Sequence, residues 1–149
     1  METKEKVNTK ISLPFVLQKN ESGVDVNKIE WEGDLLRIDF IAKTPAHSRG
    51  MWWIQLCPEI FIRPVGSTVK LMLVKSYGIP IAPLRFIFPY REFQKRFSLY
   101  FQLPPSDAKF IDIIERENAG GNFFNFYGVA IARVMSQQIF IDGTRINPN

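Results

Sequence analysis

The sequence predicts an all-β domain, a single antiparallel sandwich with at most one short helix. Three observations predict this fold. Ten prolines are spread through the 149 residues, and proline interrupts long helices. Short apolar runs are separated by turn-forming residues at intervals of about 8–12 residues, which is typical of sandwiches and barrels. Within the runs apolar and polar residues alternate, so one face of each strand is expected to be buried.

The chain is expected to form one domain. Its 149 residues can bury a single hydrophobic core without a metal or a disulfide. Both ends are polar, so residues 1–9 and 143–149 are predicted to be flexible termini around a domain of residues 10–142. With one cysteine and one histidine, the sequence offers neither a disulfide framework nor a histidine-rich metal centre, and no cofactor is expected.

Alternation predicts six strands, of which residues 96–103 are the clearest. There Phe97, Leu99 and Phe101 share one face, and polar residues separate them. In chain order the predicted strands are residues 35–42, 51–56, 60–62, 69–74, 96–103 and 123–134. The predicted core residues are Leu36, Ile38, Phe40, Leu71, Leu73, Phe97, Leu99, Phe101 and Phe126.

Residues 123–134 form the longest aromatic run. Strict alternation places Phe124 and Phe126 on one face and Val129 and Ile131 on the other. Because both faces would then carry apolar side chains, we expect a central strand that is covered on both sides.

Residues 107–117 are the one segment that fits a short helix as well as a strand. On a helix, Asp112 and Glu115 would share a face. Paired carboxylates serve as acid and base in glycoside hydrolysis. The interpretation we favour is structural: one of these carboxylates accepts backbone N–H bonds and fixes the loop before the strand at residues 123–134.

The stretch FSLYFQLPPSDAKFIDIIE, residues 97–115, resembles the terminal motif of a small β-sandwich domain found in exported bacterial proteins. In that family an F-x-L-x-F strand leads to a Leu-Pro step, a spacer, a Phe-Asp-Phe-Ile-Glu-like segment and a glycine-containing aromatic strand. The resemblance extends over roughly residues 30–132. The residues that carry the motif here are Phe97, Leu99, Phe101, Pro104, Asp112, Glu115 and Gly128.

The resemblance implies an immunoglobulin-like sandwich with an accessory role, often beside thioredoxin-like domains. It also implies a periplasmic or secreted location after removal of a leader. The N-terminal METKEKVNTKISL lacks the apolar stretch of a signal peptide, and no apolar run could span a bilayer, so the alternative is cytoplasmic. Since the chain has no C-x-x-C motif and no lipoprotein cysteine near its start, the resemblance implies no active site.

Neither the histidine nor the cysteine predicts catalysis. His47 stands beside Ser48 in a turn-rich segment, which favours an exposed loop, because triad partners converge in space rather than in sequence. Cys57, at the end of a predicted strand, is expected to be a small buried hydrophobe without an adjacent base. The domain is therefore expected not to be an enzyme.

Trp52 and Trp53 are predicted to face opposite sides of one strand, so one belongs to the core and the other is exposed or covered by a loop. An exposed tryptophan is a candidate stacking surface for a sugar ring. The alternative is that both side chains are structural, one packed in the core and the other covered by a loop.

The positive charge lies in the segment from Arg63 to Arg96, which has seven basic residues and one acidic residue. Aromatic residues interleave with these charges, as on surfaces that bind single-stranded nucleic acid. No RNP, KH or helix-turn-helix signature accompanies them, so a solvated face, a polyanionic glycan or an anionic lipid are the alternatives. The candidate ligand-binding residues are Trp52, Trp53, Arg85, Tyr90, Arg91, Lys95 and Arg96.

Three functions follow from these observations. The first is a non-catalytic module that binds a partner protein, the second a carbohydrate-binding module that uses Trp52 or Trp53, and the third polyanion binding through residues 63–96. A row of exposed aromatic rings would favour sugar. An unpaired edge strand with apolar neighbours would favour protein.

Overall fold

The computed structural model describes residues 14–118 and 122–132, and these residues contain strands and turns but no helix. Accordingly, this part of the chain has no helix with the length and apolar character needed to cross a membrane. The described residues up to Ile131 belong to one compact unit. The termini predicted to be flexible, residues 1–9 and 143–149, lie outside the described residues.

Ten strands occur in the described residues, and they form two sheets. The larger sheet has eight strands in the order β1-β10-β9-β5-β6-β8-β3-β2, all antiparallel, and β4 pairs with β7 in a small sheet of its own. The bounds are β1 Val16–Lys19, β2 Val24–Glu32, β3 Leu35–Ala42, β4 Trp53–Ile54, β5 Phe61–Pro64, β6 Leu71–Tyr77, β7 Phe86–Ile87, β8 Lys95–Gln102, β9 Phe110–Ile114 and β10 Phe126–Ala130.

The larger sheet curls into a half-barrel around one core. The ring of Phe40, in β3, lies 5.8 Å from that of Phe124 and 5.9 Å from that of Phe126, which belong to the other half of the sheet. The strand β6 pairs with both β5 and β8, so the two halves are one continuous sheet. The prediction of an antiparallel all-β fold is confirmed, whereas the two separate sheets of a simple sandwich are replaced by this curled one.

The core lies where the alternation predicts it. Leu71 and Leu73 are half-buried and pack against it, because β6 lies where the sheet bends from one half into the other. Pro104, in the motif that follows β8, is also buried. The remaining predicted core residues are fully buried, namely Leu36, Ile38, Phe40, Phe97, Leu99, Phe101 and Phe126.

The faces predicted for β10 are wrong beyond its centre. Val129 and Ile131 lie in the core together with Phe126, not on the opposite face. The register of β10 against β9 shifts between Phe126 and Val129, and Gly128 has a φ of 65° there. The glycine therefore adds the extra residue of a β-bulge, which reverses the alternation. The strand is also shorter than predicted among the described residues, and residues 133–134 lie outside them.

Residues 107–117 contain the strand β9 rather than a short helix. It pairs with β10 on one side and β5 on the other. Ile111 and Ile113 are fully buried, and Ile114 also turns inward. Pairing on both sides decides in favour of a strand where the apolar pattern alone fits either structure.

Candidate functional site

The small sheet of β4 and β7 turns one face outward. Trp53 pairs with Ile87, and Ile54 pairs with Phe86. Because neighbouring residues of a strand face opposite sides, Ile54 and Phe86 turn toward the core whereas Trp53 and Ile87 turn toward solvent. Trp52 packs against the core and Trp53 is 39% exposed, which is the arrangement that the alternation predicts.

Large apolar side chains are exposed in the two segments that form and flank the small sheet. They belong to residues 51–56 and 79–93, two segments joined by the β4–β7 pairing and by a bridge between Leu56 and Ile81. Between 37% and 72% of each residue is exposed. We call this set the Trp53 surface, and its members are Met51, Trp53, Ile81, Leu84, Ile87 and Tyr90.

Positive charge accompanies the Trp53 surface. The guanidinium carbon of Arg85 lies 4.1 Å from the ring centroid of Trp53, so the cation covers one ring face. Residues 44–57 and 79–93 contain three basic residues, Arg49, Arg85 and Arg91, and one acidic residue, Glu92. An apolar centre with a basic surround is therefore the character of this part of the molecule.

Two predicted ligand-binding cations near this surface have local partners. Arg91 donates to the carbonyl oxygens of Ser48 at 3.0 Å and of Pro45 and Ala46 at 3.4 Å, and so holds the loop before β4. The ammonium group of Lys95 lies 4.6 Å from the ring centroid of Phe86. Of the two, Arg91 acts as a clamp for the loop.

The other cations of the basic segment lie on or beside the neighbouring strands β5, β6 and β8. Arg63 pairs with Glu117 at 2.8 Å, and Lys70 lies 4.0 Å from the same carboxylate. Lys75 lies over the ring of Tyr100 at 4.6 Å. Arg96 is exposed on β8. Three of these four cations, Arg63, Lys70 and Lys75, therefore have partners within the domain.

The aromatic residues between those charges are mostly turned inward. Phe88 is buried, and Phe86 and Phe93 pack against the core. Tyr90 is exposed, with its ring edge against Phe93. In this segment, all of which the structure describes, there is no row of open ring faces on which bases could stack.

Glu115 ties together three separate parts of the chain. It lies buried just after β9, where Oε2 accepts a hydrogen bond from the Cys57 N–H at 3.0 Å and Oε1 one from the Phe124 N–H at 2.9 Å. Burial raises the pKa of this carboxyl to about 7, although both hydrogen bonds favour the charged form. Because both carboxylate oxygens of Glu115 accept hydrogen bonds from backbone N–H groups, this residue fixes the chain, as the structural interpretation of the sequence predicts.

Asp112 has a separate structural role. Its Oδ1 accepts from the Gly128 N–H at 3.0 Å, at the bulge of β10, and its Oδ2 lies 3.4 Å from Nε of Arg63. On the strand β9, Asp112 is half-exposed while Glu115 beyond its end is buried. The two carboxylates therefore have different partners within the domain.

Sequence analysis missed Asn125, which is fully buried before β10. Its Oδ1 accepts from the N–H groups of Glu115 at 2.8 Å and Arg116 at 3.2 Å, and its Nδ2 donates to the carbonyl of Arg116 at 2.9 Å. A polar amide inside the aromatic run Phe123–Tyr127 is the signal that could have found it, because a buried amide needs hydrogen-bond partners.

His47 and Cys57 show no catalytic geometry. His47 is exposed, with its ring edge toward Trp52 at 6.2 Å, and the hydroxyl of Ser48 donates to the Gly50 carbonyl. Cys57 is half-buried, and its thiol donates to Glu59. Burial and this hydrogen bond raise the thiol pKa, which lowers its nucleophilicity at neutral pH.

A cleft of about 660 Å³ opens between β1 and β2, the two edge strands of the larger sheet. Lys19 of β1 and Asp25 of β2 form an ion pair across it. Trp31 Nε1, on β2, donates to the carbonyl of Ile131, just after β10, at 3.0 Å. These contacts hold the two edges near each other without a shared ladder.

The Trp53 surface remains the candidate site once the side-chain chemistry is considered. Among residues 14–118 and 122–132, no three His, Cys, Asp or Glu side chains come together so as to hold a metal ion. The carboxylates and the thiol named above are bound to partners within the domain. Comparison with protein-family models, with curated proteins and with solved structures finds no significant match.

Proposed function

We propose that this domain is a non-catalytic accessory module that binds a partner protein through the Trp53 surface. The observation that carries the proposal is the set of six large exposed apolar side chains in the two segments that form and flank the small sheet. Exposed apolar patches on soluble domains mark interaction sites. Tryptophan, tyrosine and arginine, all present here, are the residues most enriched at the centres of protein interfaces.

The geometry favours a protein over a sugar. A sugar ring stacks on an open aromatic face, but Arg85 covers one face of Trp53. Of the other exposed aromatic rings, Tyr90 belongs to the Trp53 surface, whereas Tyr77 lies on β6, Phe110 on β9 and Phe15 before β1. The other four members of the Trp53 surface are not aromatic.

An immunoglobulin-like relationship is part of the proposal. It is supported by the packing of the β3 and β10 halves of the sheet against each other through Phe40 and Phe126. The structural hydrogen bonds of Asp112 and Glu115 also agree with an accessory domain that has no active site. A bacterial, exported origin rests on the sequence resemblance alone.

The experiment is site-specific photo-crosslinking in the cells that express the protein. A photoreactive residue at position 87, in place of Ile87, samples the Trp53 surface. The matched control is a photoreactive residue in place of Val74 on β6, because Val74 is 51% exposed and Ile87 is 52% exposed. We expect one discrete adduct from Ile87 and none from Val74. The crosslinked protein, once identified and purified, should bind the wild type and lose about tenfold or more in affinity for Trp53→Ala.

Two results would contradict the proposal. One is the same set of adducts from Ile87 and Val74, which would mean that the Trp53 surface is not distinguished. The other is retention on immobilised glycan or heparin that Trp53→Ala abolishes while no protein partner binds. The second result would assign the surface to the carbohydrate or polyanion alternative.

A further inference from the structure

We infer that the partner binds as an extended, acidic segment that adds a strand to the outer edge of β4, beside Trp53. The inference rests on the proposed function and specifies the partner's chemistry. It combines three features of the small sheet: an unpaired backbone edge, an exposed apolar face and a basic surround. Addition of a strand to a free edge is a recurrent mode of peptide recognition.

The backbone of β4 has an edge that can accept a strand. The Phe88 N–H donates to the Trp52 carbonyl at 2.9 Å, so Trp52 and Ile54 direct their backbone groups toward β7. Backbone groups alternate in direction along an antiparallel strand, and those of Trp53 and Gln55 therefore point away from β7. Within residues 14–118 and 122–132, no backbone or side-chain group pairs with them.

A side chain at the same edge also lacks a partner. The Oε1 atom of Gln55 is buried and accepts no hydrogen bond from the described residues. An unpaired acceptor of this kind is costly unless a donor reaches it.

Charge specifies the sequence of the added strand. Arg85 reaches from the end of β7 across Trp53, which places its guanidinium over β4. Arg49 precedes β4 and is exposed. Side chains of an added strand alternate between its faces, so those on the outer face would lie beside Trp53 and Arg85. A segment with apolar and acidic residues at alternate positions on that face fits both groups.

A lipid surface fits these features less well. Anionic headgroups would satisfy Arg85 and Arg49, and the apolar side chains could enter the interface. A lipid cannot, however, form an alternating ladder with the N–H and C=O groups of Trp53 and Gln55. The unpaired edge therefore favours a peptide.

The test is selection of a phage-displayed library of short random peptides against the whole protein. We expect wild-type protein to enrich peptides that carry Asp or Glu among β-branched and aromatic residues with period two. Val74→Asp, on β6, should enrich the same peptides. Arg85→Glu should shift the selection toward Lys and Arg, and Ile87→Asp should lower the affinity of the best peptide by about tenfold or more.

The backbone ladder is tested on the best synthetic peptide. Alternate amides of an extended peptide point to opposite edges, and only one edge of an added strand faces β4. N-methylation of the amides on that edge should abolish binding. N-methylation of the amides on the other edge should change the affinity by no more than about twofold. Equal tolerance of N-methylation on both edges would overturn the inference. So would basic or helix-patterned peptides, or preferential binding to phosphatidylglycerol vesicles.

The outcomes separate this inference from the proposed function. A partner crosslinked at Ile87 that carries no extended acidic segment overturns the strand model and leaves protein binding intact. Absence of any Ile87-specific partner overturns both. Acidic peptides that bind equally well to wild-type protein and to Ile87→Asp place binding elsewhere and also overturn the inference.

Discussion

Glu115 has a buried carboxyl group whose hydrogen bonds join separate segments of the fold. It is buried, it accepts the Cys57 and Phe124 N–H groups, and burial raises its pKa to about 7. In the unfolded chain a glutamate titrates near pH 4.3. Between these values the unfolded chain releases a proton that the folded chain retains, so this group makes the domain less stable as pH rises.

Glu115→Gln should therefore flatten the pH dependence of stability. The wild-type contribution of this carboxyl should fall by about 3 kcal/mol as pH rises from the unfolded to the folded pKa. The amide does not titrate, although it should lose one of the two backbone hydrogen bonds and cost about 1–3 kcal/mol at the acidic end of that range. Urea denaturation at several pH values measures both effects.

Glu117→Gln is the matched control for that experiment. Glu117 is exposed, and its hydrogen bond with Arg63 lowers its pKa, so its titration lies on the acidic side of the window. Its variant should retain the wild-type slope between about pH 5 and 7. An unchanged slope in Glu115→Gln as well would mean that Glu115 is ionised in the folded protein at neutral pH.

Gly128 tests the bulge of β10. A Cβ atom there would lie 2.9 Å from Cβ of Leu17, and φ is 65°; at Gly33 φ is 63° and nothing lies within 4 Å. Gly33→Ala should cost about 1 kcal/mol, the backbone effect alone. Gly128→Ala should cost about 1–3 kcal/mol more because the contact adds overpacking.

The double variant Gly128→Ala with Leu17→Ala separates the backbone cost at the bulge from the cost of the contact with Leu17. Removing most of the Leu17 side chain leaves its Cβ atom but allows β1 to shift. We expect the double variant to recover part of the added cost, as measured by thermal unfolding. Equal costs for Gly128→Ala and Gly33→Ala would argue against close packing of β1 on β10.

At the scale of elements, the Arg91 clamp should determine the order of the loop before β4. The planar guanidinium donates to three carbonyl oxygens, a geometry that a lysine ammonium does not reproduce. In Arg91→Lys, the Ser48 amide, which donates to the Pro45 carbonyl, should exchange with solvent faster than in wild type. Amide hydrogen exchange measures this directly.

The matched variant for the clamp is Arg96→Lys, on the exposed face of β8. It should leave exchange in the loop unchanged. If Arg91→Lys and Arg96→Lys behave alike, the loop is held by other contacts, and Arg91 becomes available to a ligand as the sequence analysis predicted.

Strands were predictable where the alternation is uninterrupted. β3 has the predicted bounds, and β8 differs from its prediction by one residue at each end. The register shifts at three places, between Val26 and Lys28 in β2, between Leu73 and Lys75 in β6 and at Gly128 in β10. A pattern of period two cannot reveal a strand whose phase changes midway, so β2 was missed and the second half of β10 was given the wrong face.

The candidate site was predictable in part for a related reason. The opposite facing of Trp52 and Trp53 is a local property of one strand, and the sequence contains it. The pairing of Trp53 with Ile87 and the contact with Arg85 join residues more than thirty positions apart, in a strand of two residues that has no periodic signal. The Glu115 and Asn125 network joins segments in the same way.

At the scale of the whole molecule, the continuous sheet presents the small sheet as a separate surface. β6 joins the two halves, and the Lys19–Asp25 ion pair and the Trp31–Ile131 hydrogen bond hold the outer edges near each other. β4 and β7 pair with each other and with no strand of the larger sheet in the described chain. The Trp53 surface is thus supported by the core through Ile54 and Phe88 while its outer face stays open.

The central claim is that the open face of the small sheet binds a partner protein. The most direct measurement is calorimetric titration of the purified crosslinked partner with Ile87→Asp and with Val74→Asp, which introduce the same charge at residues of equal exposure. The account predicts wild-type affinity for Val74→Asp and a loss of about tenfold or more for Ile87→Asp. Equal affinities for the two variants would contradict it.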